Sequence, residues 1–301
     1  MKLGISMLAM GFTCVLADSA AAQCSATCDA NGDYKSVTNA DWDLASTWYV
    51  CNYPNWEPAG AKPGSSNKVT ICRGTSVTVD TGESCGNLVL ESALTGSTVE
   101  GVLLIKAGGG DLTVAGTLTM HDPDSGQNPC RIEFTGTGAA AVLDFSNSVT
   151  AARQIVVDGP GKIEIAATKK LTLSGAGIIK GKSGNTDPLE IAGAIENDGD
   201  IEVKEAFTLK FTGTGLELDS SGTITVEHAS AVVQWMLDTS ALDTVDNVNG
   251  DVLLNAGKLD FDSPLLFYGN FEMKANATVD TEGLANDTTA KFCDGASCTG
   301  S

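Results

Sequence analysis

From residue 69 onward the chain consists mainly of short segments in which apolar and polar residues alternate. Such alternation places apolar side chains on one face of a β-strand and polar side chains on the other. Turn-forming Gly, Asn, Asp and Ser residues separate the segments, so each one reads as a short strand. The apolar pairs predicted on one strand face are Val69/Ile71, Val77/Val79, Leu88/Leu90, Val102/Leu104, Leu112/Val114, Leu118/Met120, Ile132/Phe134, Leu143/Phe145, Ile155/Val157, Ile163/Ile165, Leu171/Leu173, Leu189/Ile191, Ile201/Val203, Leu209/Phe211, Leu216/Leu218, Ile224/Val226, Val252/Leu254, Leu259/Phe261 and Phe271/Met273.

This strand series predicts an all-β protein and favours a parallel β-solenoid over a sandwich or an antiparallel barrel. There are too many strands for one ordinary sandwich, and no helical periodicity divides them. The alternate positions carry mainly Thr, Asp, Glu, Lys and Ser, as expected when only one strand face is buried. Two or three strands per coil give a repeat of roughly 20 to 30 residues and on the order of eight to ten coils.

The two ends of the sequence differ from the middle. Residues 1–22 resemble a secretory signal peptide, with Lys2, an apolar stretch and the cleavage pattern Ala20-Ala21-Ala22. We therefore expect a secreted protein, extracellular or at the cell surface, without membrane insertion, because no later segment suits a membrane span. Residues 23–64 are predicted to form an N-terminal cap, 65–280 the solenoid, and 281–301 a C-terminal cap or tail.

The cysteines agree with export into an oxidising compartment. Cys14 lies in the predicted signal peptide, and the remaining set is even in number, so it fits up to four disulfides with open connectivity. Zinc sites are the alternative, but His121 and His228 are too isolated to complete them. Because the cysteines cluster near the two ends, we expect disulfide-stapled terminal regions. The disulfide candidates are Cys24, Cys28, Cys51, Cys72, Cys85, Cys130, Cys293 and Cys298.

A net charge of −20 argues against nucleic acid as a partner, because a phosphate backbone would be repelled. Acidic turns can instead bind calcium, and Asp29, Asn31 and Asp33 resemble the start of a calcium loop. The match with an EF-hand ends there, since Tyr34 stands where that loop needs Gly and Ala40 where it needs Glu. Calcium is therefore the candidate ion, and no cofactor is required.

Aromatic residues are few and gather before residue 57. Two uses are open for them: packing of a cap over the first coil, or a surface patch for a glycan or a partner protein. Trp235 stands alone in an apolar segment and is expected in the core. The candidate surface patch comprises Trp42, Trp48, Tyr53 and Trp56.

The stretch from Trp42 to Asp80 contains a recognisable series of motifs. Trp42, Ser46-Thr47-Trp48, Pro63-Gly64, Val69-Thr70-Ile71 and the segment from Gly74 to Asp80 follow one another in a characteristic order. This order resembles the N-terminal opening of secreted bacterial parallel β-helix and adhesin-like surface proteins. The resemblance covers Trp42 to Asp80 only. It implies a right-handed parallel β-helix in an extracellular setting and no single activity. The extra cysteines Cys51 and Cys72 depart from that opening.

The sequence does not indicate a set of catalytic residues. His121, Asp122 and Asp124 form the one local cluster with catalytic character, and it reads as a turn between strands. We therefore expect not an enzyme but an extracellular structural or adhesive protein, such as a self-assembling surface fibre or matrix subunit that associates end to end. The alternative is a protein that binds or degrades a cell-surface or matrix polysaccharide. A deep groove carrying several carboxylates or basic groups would favour that alternative.

Overall fold

The computed structural model describes residues 24–95, 99–214, 218–238, 246–248, 250–261, 265–267, 270–280 and 290–292. Its one helix in this part of the chain is the single-turn 3₁₀ helix Ala45–Thr47. The strands are β1 Tyr34–Ser36, β2 Ala40–Asp41, β3 Trp48–Asn52, β4 Asn55–Pro58, β5 Val69–Ile71, β6 Ser76–Val79, β7 Gly82–Cys85, β8 Leu88–Leu90, β9 Val102–Lys106, β10 Asp111–Val114, β11 Leu118–Met120, β12 Arg131–Thr135, β13 Ala141–Phe145, β14 Val149–Asp158, β15 Gly161–Ile165, β16 Lys170–Gly181, β17 Leu189–Ala192, β18 Ala194–Asn197, β19 Asp200–Val203, β20 Thr208–Thr214, β21 Leu218–Ser220, β22 Thr223–Val226, β23 Val232–Asp238, β24 Asp246–Val248, β25 Val252–Leu254, β26 Gly257–Phe261, β27 Leu265–Phe267, β28 Phe271–Met273, β29 Ala277–Asp280 and β30 Ala290–Phe292.

The strands form three long sheets in which neighbours are separated in sequence by a whole coil. Sheet A has the order β11-β8-β5-β1-β3-β4, and sheet C runs from β7 through β10, β13, β15, β17, β20, β23 and β26 to β29. Sheet B runs from β2 through β6, β9, β12 and β14 to β16, and there divides into one column ending at β30 and another ending at β28. Apart from β1 with β3 and β3 with β4, the pairings are parallel.

This pairing is consistent with a β-solenoid. From β5 to β13 the chain visits sheets A, B and C in turn, and after β13 it alternates between sheets B and C, with sheet B in two columns beyond β16. Along sheet C, coil length varies from 20 residues, between Leu143 and its partner Ile163, to 31 residues, between Leu112 and Leu143. That range agrees with the predicted repeat. The nine described strands of sheet C agree with the predicted number of coils.

The core is a continuous column of side chains that point inward from each sheet. In sheet C it contains Leu112, Leu143, Ile163, Ile191 and Phe211, each almost fully buried and each in register with the next. Trp235 follows Phe211 in the same row, and their rings stack with centroids 6.0 Å apart. Burying each large apolar side chain stabilises the fold by about 1.5 to 3 kcal/mol. The prediction that Trp235 lies in the core is confirmed.

One predicted strand face is wrong. The pair Val102/Leu104 was expected to point inward, but Val77 and Val79 of β6 pair with Leu103 and Ile105, which are the fully buried residues. The segment from Val102 to Ile105 is apolar without interruption. Alternation therefore does not identify its inner face, and the choice depends on the neighbouring strands.

The N-terminal region contributes strands to the sheets as well as covering them. Strand β1 pairs in parallel with β5, and β2 pairs in parallel with β6, so the parallel stacking begins before the predicted boundary at residue 65. Strands β3 and β4 then form an antiparallel hairpin at the edge of sheet A. Residues 1–23 lie outside the described residues. So does the predicted C-terminal cap, including Cys293 and Cys298, with the exception of β30.

Candidate functional site: a groove beside a disulfide-anchored strap

A short segment, Cys24 to Cys28, lies against the outer face of sheet A, and we refer to it as the strap. One end is held by the Cys24–Cys72 disulfide, immediately after β5, and the other by the Cys28–Cys51 disulfide, in β3. Alternation directs Cys51 and Cys72 outward from their strands, which is where the strap runs. Both ends of the strap are therefore covalently fixed to the sheet.

A buried carboxylate holds the strap between its covalent ends. Glu91, which follows β8 and is 1% exposed, accepts hydrogen bonds from the backbone N–H of Ser25 at 2.9 Å and from the Ser25 hydroxyl. The guanidinium of Arg73 lies 3.6 Å from the same carboxylate, and the backbone N–H of Arg73 donates a hydrogen bond to it at 3.4 Å. A buried carboxylate needs such partners, because an unpaired charge away from water is strongly destabilising.

Beside the strap lies a groove with a volume of about 450 Å³. Its floor is the outer face of sheet A, where Thr70 of β5, Val89 of β8 and Thr119 of β11 occupy one row across the strands. One wall is the strap itself, through Ser25 to Thr27. Thr70 is 3% exposed although it points outward, which agrees with its cover by the strap.

The two ends of the groove carry different polar groups. At one end lie Lys68, Asn87 and Thr117, and the Asn87 side-chain oxygen accepts the Thr117 N–H at 2.9 Å. At the other end lie Glu91 and His121. The Glu91 carboxylate is occupied by the strap and Arg73. The groove therefore presents hydroxyl and amide groups and the ammonium group of Lys68 around one apolar floor residue, Val89.

A lysine lies close to this face on β1. Lys35 is in register with Thr70, and its ammonium group lies 4.7 Å from the centre of the Trp56 ring. Burial lowers the pKa of Lys35, while the negative charge of Glu91 acts in the opposite direction. The outer face of sheet A thus combines Lys35 and Lys68 with two carboxylates, Glu91, which Arg73 compensates, and Asp33, whose charge interacts with Lys68.

The structure corrects the predicted surface patch. Trp42 and Trp48 are 0% and 1% exposed, pack edge to face with ring centroids 5.0 Å apart, and are joined by a hydrogen bond from Trp48 Nε1–H to the Trp42 carbonyl at 2.8 Å. They belong to the core because the strands before β5 already stack on the first coil. Tyr53 is 65% exposed and Trp56 is half-buried, so these two of the four predicted patch residues reach the surface.

Two of the disulfide candidates are also corrected. Cys85 and Cys130 are fully buried free thiols. Cys85 points inward in sheet C, in register with Val114, and so serves as a small core residue. Burial raises the pKa of Cys85 to about 12 and that of Cys130 to about 11. The other four described cysteines form disulfides. Cys72 and Cys51, the partners of Cys24 and Cys28, lie on the outer face of sheet A, beneath the strap.

The predicted calcium residues are engaged in local contacts. The Asn31 side-chain oxygen accepts the Tyr53 N–H at 2.7 Å, and Asp29 accepts the Thr27 hydroxyl. Burial is the main influence on Asp33 and raises its pKa. The Asn31 contact joins the segment after the strap to the β3–β4 hairpin. Calcium binding stays a prediction.

The predicted turn cluster does not act as a unit. Asp122 forms an ion pair with Arg153, Asp124 accepts hydrogen bonds from Thr95, and only His121 faces the groove. The one described group of three metal-ligating side chains is Cys24, Cys72 and Glu91, whose two sulfurs are joined as a disulfide. A disulfide sulfur lacks the thiolate charge that binds a metal ion.

The groove could not be predicted from the sequence. Ser25 in the strap and Glu91 at one end of the groove are 66 positions apart, and no local pattern marks residues that meet over such a distance. The one usable signal is Glu91 itself, a carboxylate that directly follows an apolar strand.

Comparisons with protein-family models, with curated proteins and with solved structures found no match to this chain. The described part of the chain has no helix that is long and apolar enough to cross a membrane. Its two disulfides indicate an oxidising environment.

Proposed function

We propose that this protein is an extracellular structural or adhesive protein, built as a right-handed parallel β-helix with stapled ends, and that it is not an enzyme. The observation that carries the proposal is the unbroken stack of parallel strands, from β7 to β29 in sheet C alone. In such a stack each coil supports only its neighbours, so the molecule is extended and can grow in one direction. The right-handed connection is the usual one between parallel strands of one sheet.

The two ends of the stack support association end to end. At the N-terminal end Trp42 and Trp48 fill the core, and Trp48 also begins the stapled β3–β4 hairpin. Near the C-terminal end Met273 and Val279 are 52% and 40% exposed, although they continue inward-facing rows of the previous coil. Apolar core positions and strand edges at the end of a solenoid favour pairing with another chain.

Negative-stain electron microscopy of the purified mature protein, at several concentrations and with and without calcium, tests the assembly. We expect filaments with an axial repeat close to the length of one solenoid. The double variant Met273→Glu/Val279→Lys should shorten or abolish them, because it places charges in the contact. Thr225→Lys serves as the control, since Thr225 lies on the outer face of β22, on the side of the stack.

Analytical ultracentrifugation of the same samples measures whether the protein is assembled or monomeric in solution at each concentration. Isolated rods at every concentration would refute end-to-end assembly. Filaments that form equally well with both charge variants would refute the role of the C-terminal end. A partner polysaccharide at the cell surface or in the matrix remains the proposed target of the adhesive part.

A further inference from the structure

We propose that the groove beside the strap binds a short segment of a carboxylate-bearing oligosaccharide, about two sugar units long. This inference rests on the adhesive part of the proposed function, whereas the structural part stands without it. It gives that adhesion a defined place on the outer face of sheet A and a defined chemical class of ligand.

The dimensions of the groove fit such a ligand. From Thr117 to His121 the chain extends about 13 Å along the strand direction, at about 3.3 Å per residue. The floor spans three strands from β5 to β11, about 10 Å between the outer two, and the strap covers its β5 side at Thr70. A volume of about 450 Å³ lies within the usual range for small-molecule sites.

The lining matches the two kinds of surface that a sugar ring presents. Val89 and Ala26 provide an apolar strip on which the C–H face of a ring can pack. Beside this strip, the Thr119 hydroxyl can both donate and accept hydrogen bonds, as sugar hydroxyls do. The Thr27 hydroxyl donates to Asp29, so it can only accept a hydrogen bond from the ligand. Thr119 is exposed, so its hydroxyl is accessible from the groove.

Lys68, the one Lys or Arg side chain in the described lining of the groove, can pair with an anionic substituent on the sugar. The ammonium group of Lys68 lies at one end and the imidazole of His121 at the other. Burial raises the pKa of Asp33, and the charge of Lys68 acts on that pKa in the opposite direction. Among the described residues, however, no ion pair joins Lys68 to a carboxylate. The Glu91 carboxylate is compensated by Arg73 and Ser25. A ligand carboxylate can therefore form a charge-assisted hydrogen bond with Lys68.

The groove is also preorganised. Its wall is fixed at Cys24 and at Cys28 by disulfides and is held between them by Glu91. Its floor consists of paired strands. Binding to such a rigid site does not require a loop to become ordered, and the ligand therefore retains more of its interaction free energy.

Isothermal titration calorimetry with purified oligosaccharides of matched length tests the inference. The probes are oligogalacturonides of two to four units and cello-oligosaccharides of the same lengths, which lack the carboxylates. We expect the wild-type protein to bind the oligogalacturonides at least tenfold more tightly than the neutral series. Raising the salt concentration should weaken that preference, since salt screens an exposed ion pair.

Matched variants locate the site. Lys68→Gln should reduce oligogalacturonide affinity about tenfold, which corresponds to loss of one charge-assisted contact. Lys210→Gln removes the same charge from the outer face of β20 in sheet C and should leave affinity unchanged. Thr119→Val, at an exposed position, should weaken binding of both oligosaccharide series several-fold. Circular dichroism of each variant checks that the fold is retained.

The outcomes separate the two proposals. Equal affinity of wild type and Lys68→Gln for oligogalacturonides would overturn the groove assignment and leave adhesion standing. Tighter binding of the neutral series would overturn the carboxylate preference. If neither series binds in the millimolar range, the groove is refuted. A broad glycan array that also shows no binding would then refute adhesion, while the microscopy alone decides the structural part.

Discussion

Replacing Gly222 by alanine should destabilise the central coils, because a glycine column at one corner leaves no room for a side chain. A Cβ atom on Gly222 would lie 2.0 Å from the carbonyl oxygen of Gly199 in the preceding coil. Likewise, one on Gly250 would lie 1.8 Å from the carbonyl oxygen of Gly222. Such contacts are far below the separation that real Cβ atoms keep, and both atoms in each contact are held by the backbone.

The cost follows from the hydrogen bonds at this corner. Relieving the clash requires a shift of about 1 Å between coils that are packed as closely as a protein interior allows. Three backbone hydrogen bonds of 2.8 to 2.9 Å join Ser221, Gly222 and Thr223 to Asn197 and Gly199. At about 1 kcal/mol each, their loss lowers the free energy of unfolding by about 3 kcal/mol.

Urea denaturation monitored by circular dichroism measures the change, and hydrogen exchange shows whether it is confined to the neighbouring coils. Gly82→Ala is the matched control, since a Cβ there meets nothing within 4 Å and the backbone is not left-handed. Because the alanine restricts the unfolded chain, the control should be unchanged or more stable by about 0.4 to 1 kcal/mol. Equal stability of the two variants would refute the steric argument.

Three further predictions concern the core and its charged surface. Trp235→Ala removes the fully buried ring that stacks on Phe211 and should cost about 3 to 5 kcal/mol. Hydrogen exchange should then increase around Phe211 but not in the N-terminal coils, and uniform opening would contradict nearest-neighbour stacking. The thiols of Cys85 and Cys130 should resist iodoacetamide at pH 8 in the folded protein and react in urea, because burial raises both pKa values; rapid alkylation without urea would contradict their placement. Hydrogen bonds to Asp158 and Glu133 raise the pKa of Lys182, so its stabilisation is complete below the ordinary value of 10.5 and is lost as the pH rises through the higher folded-state pKa. Urea midpoints between pH 8 and 12 should fall more steeply for wild type than for Lys182→Met, and parallel curves would argue against the contribution of this lysine.

The alternation of apolar and polar residues was sufficient to predict an all-β protein with one buried strand face. It placed strands such as β13 and β15 correctly, because a two-residue period can bury only one set of side chains. Composition was sufficient to predict an oxidising setting from the cysteines. These properties are local or additive along the chain, so they can be read without knowing which strands are neighbours.

The tertiary structure decided everything that depends on which distant residues meet. It chose Leu103 over Val102 as a core residue, because β6 and β12 fix the register of β9. It buried Trp42 and Trp48, whose type alone is compatible with a surface patch or a core. Coil length varies and no residue motif repeats, so strand partners could not be assigned by a period.

The groove shows the same limit most clearly. Cys24 and Cys28 join Cys72 and Cys51, one of several pairings that the cysteine count allows. Only that choice lays the strap across sheet A, beside Lys68 and above Glu91. Local patterns determine which face of a strand is buried. The contacts that build a site, by contrast, join residues far apart in sequence, and the packing of whole coils selects them.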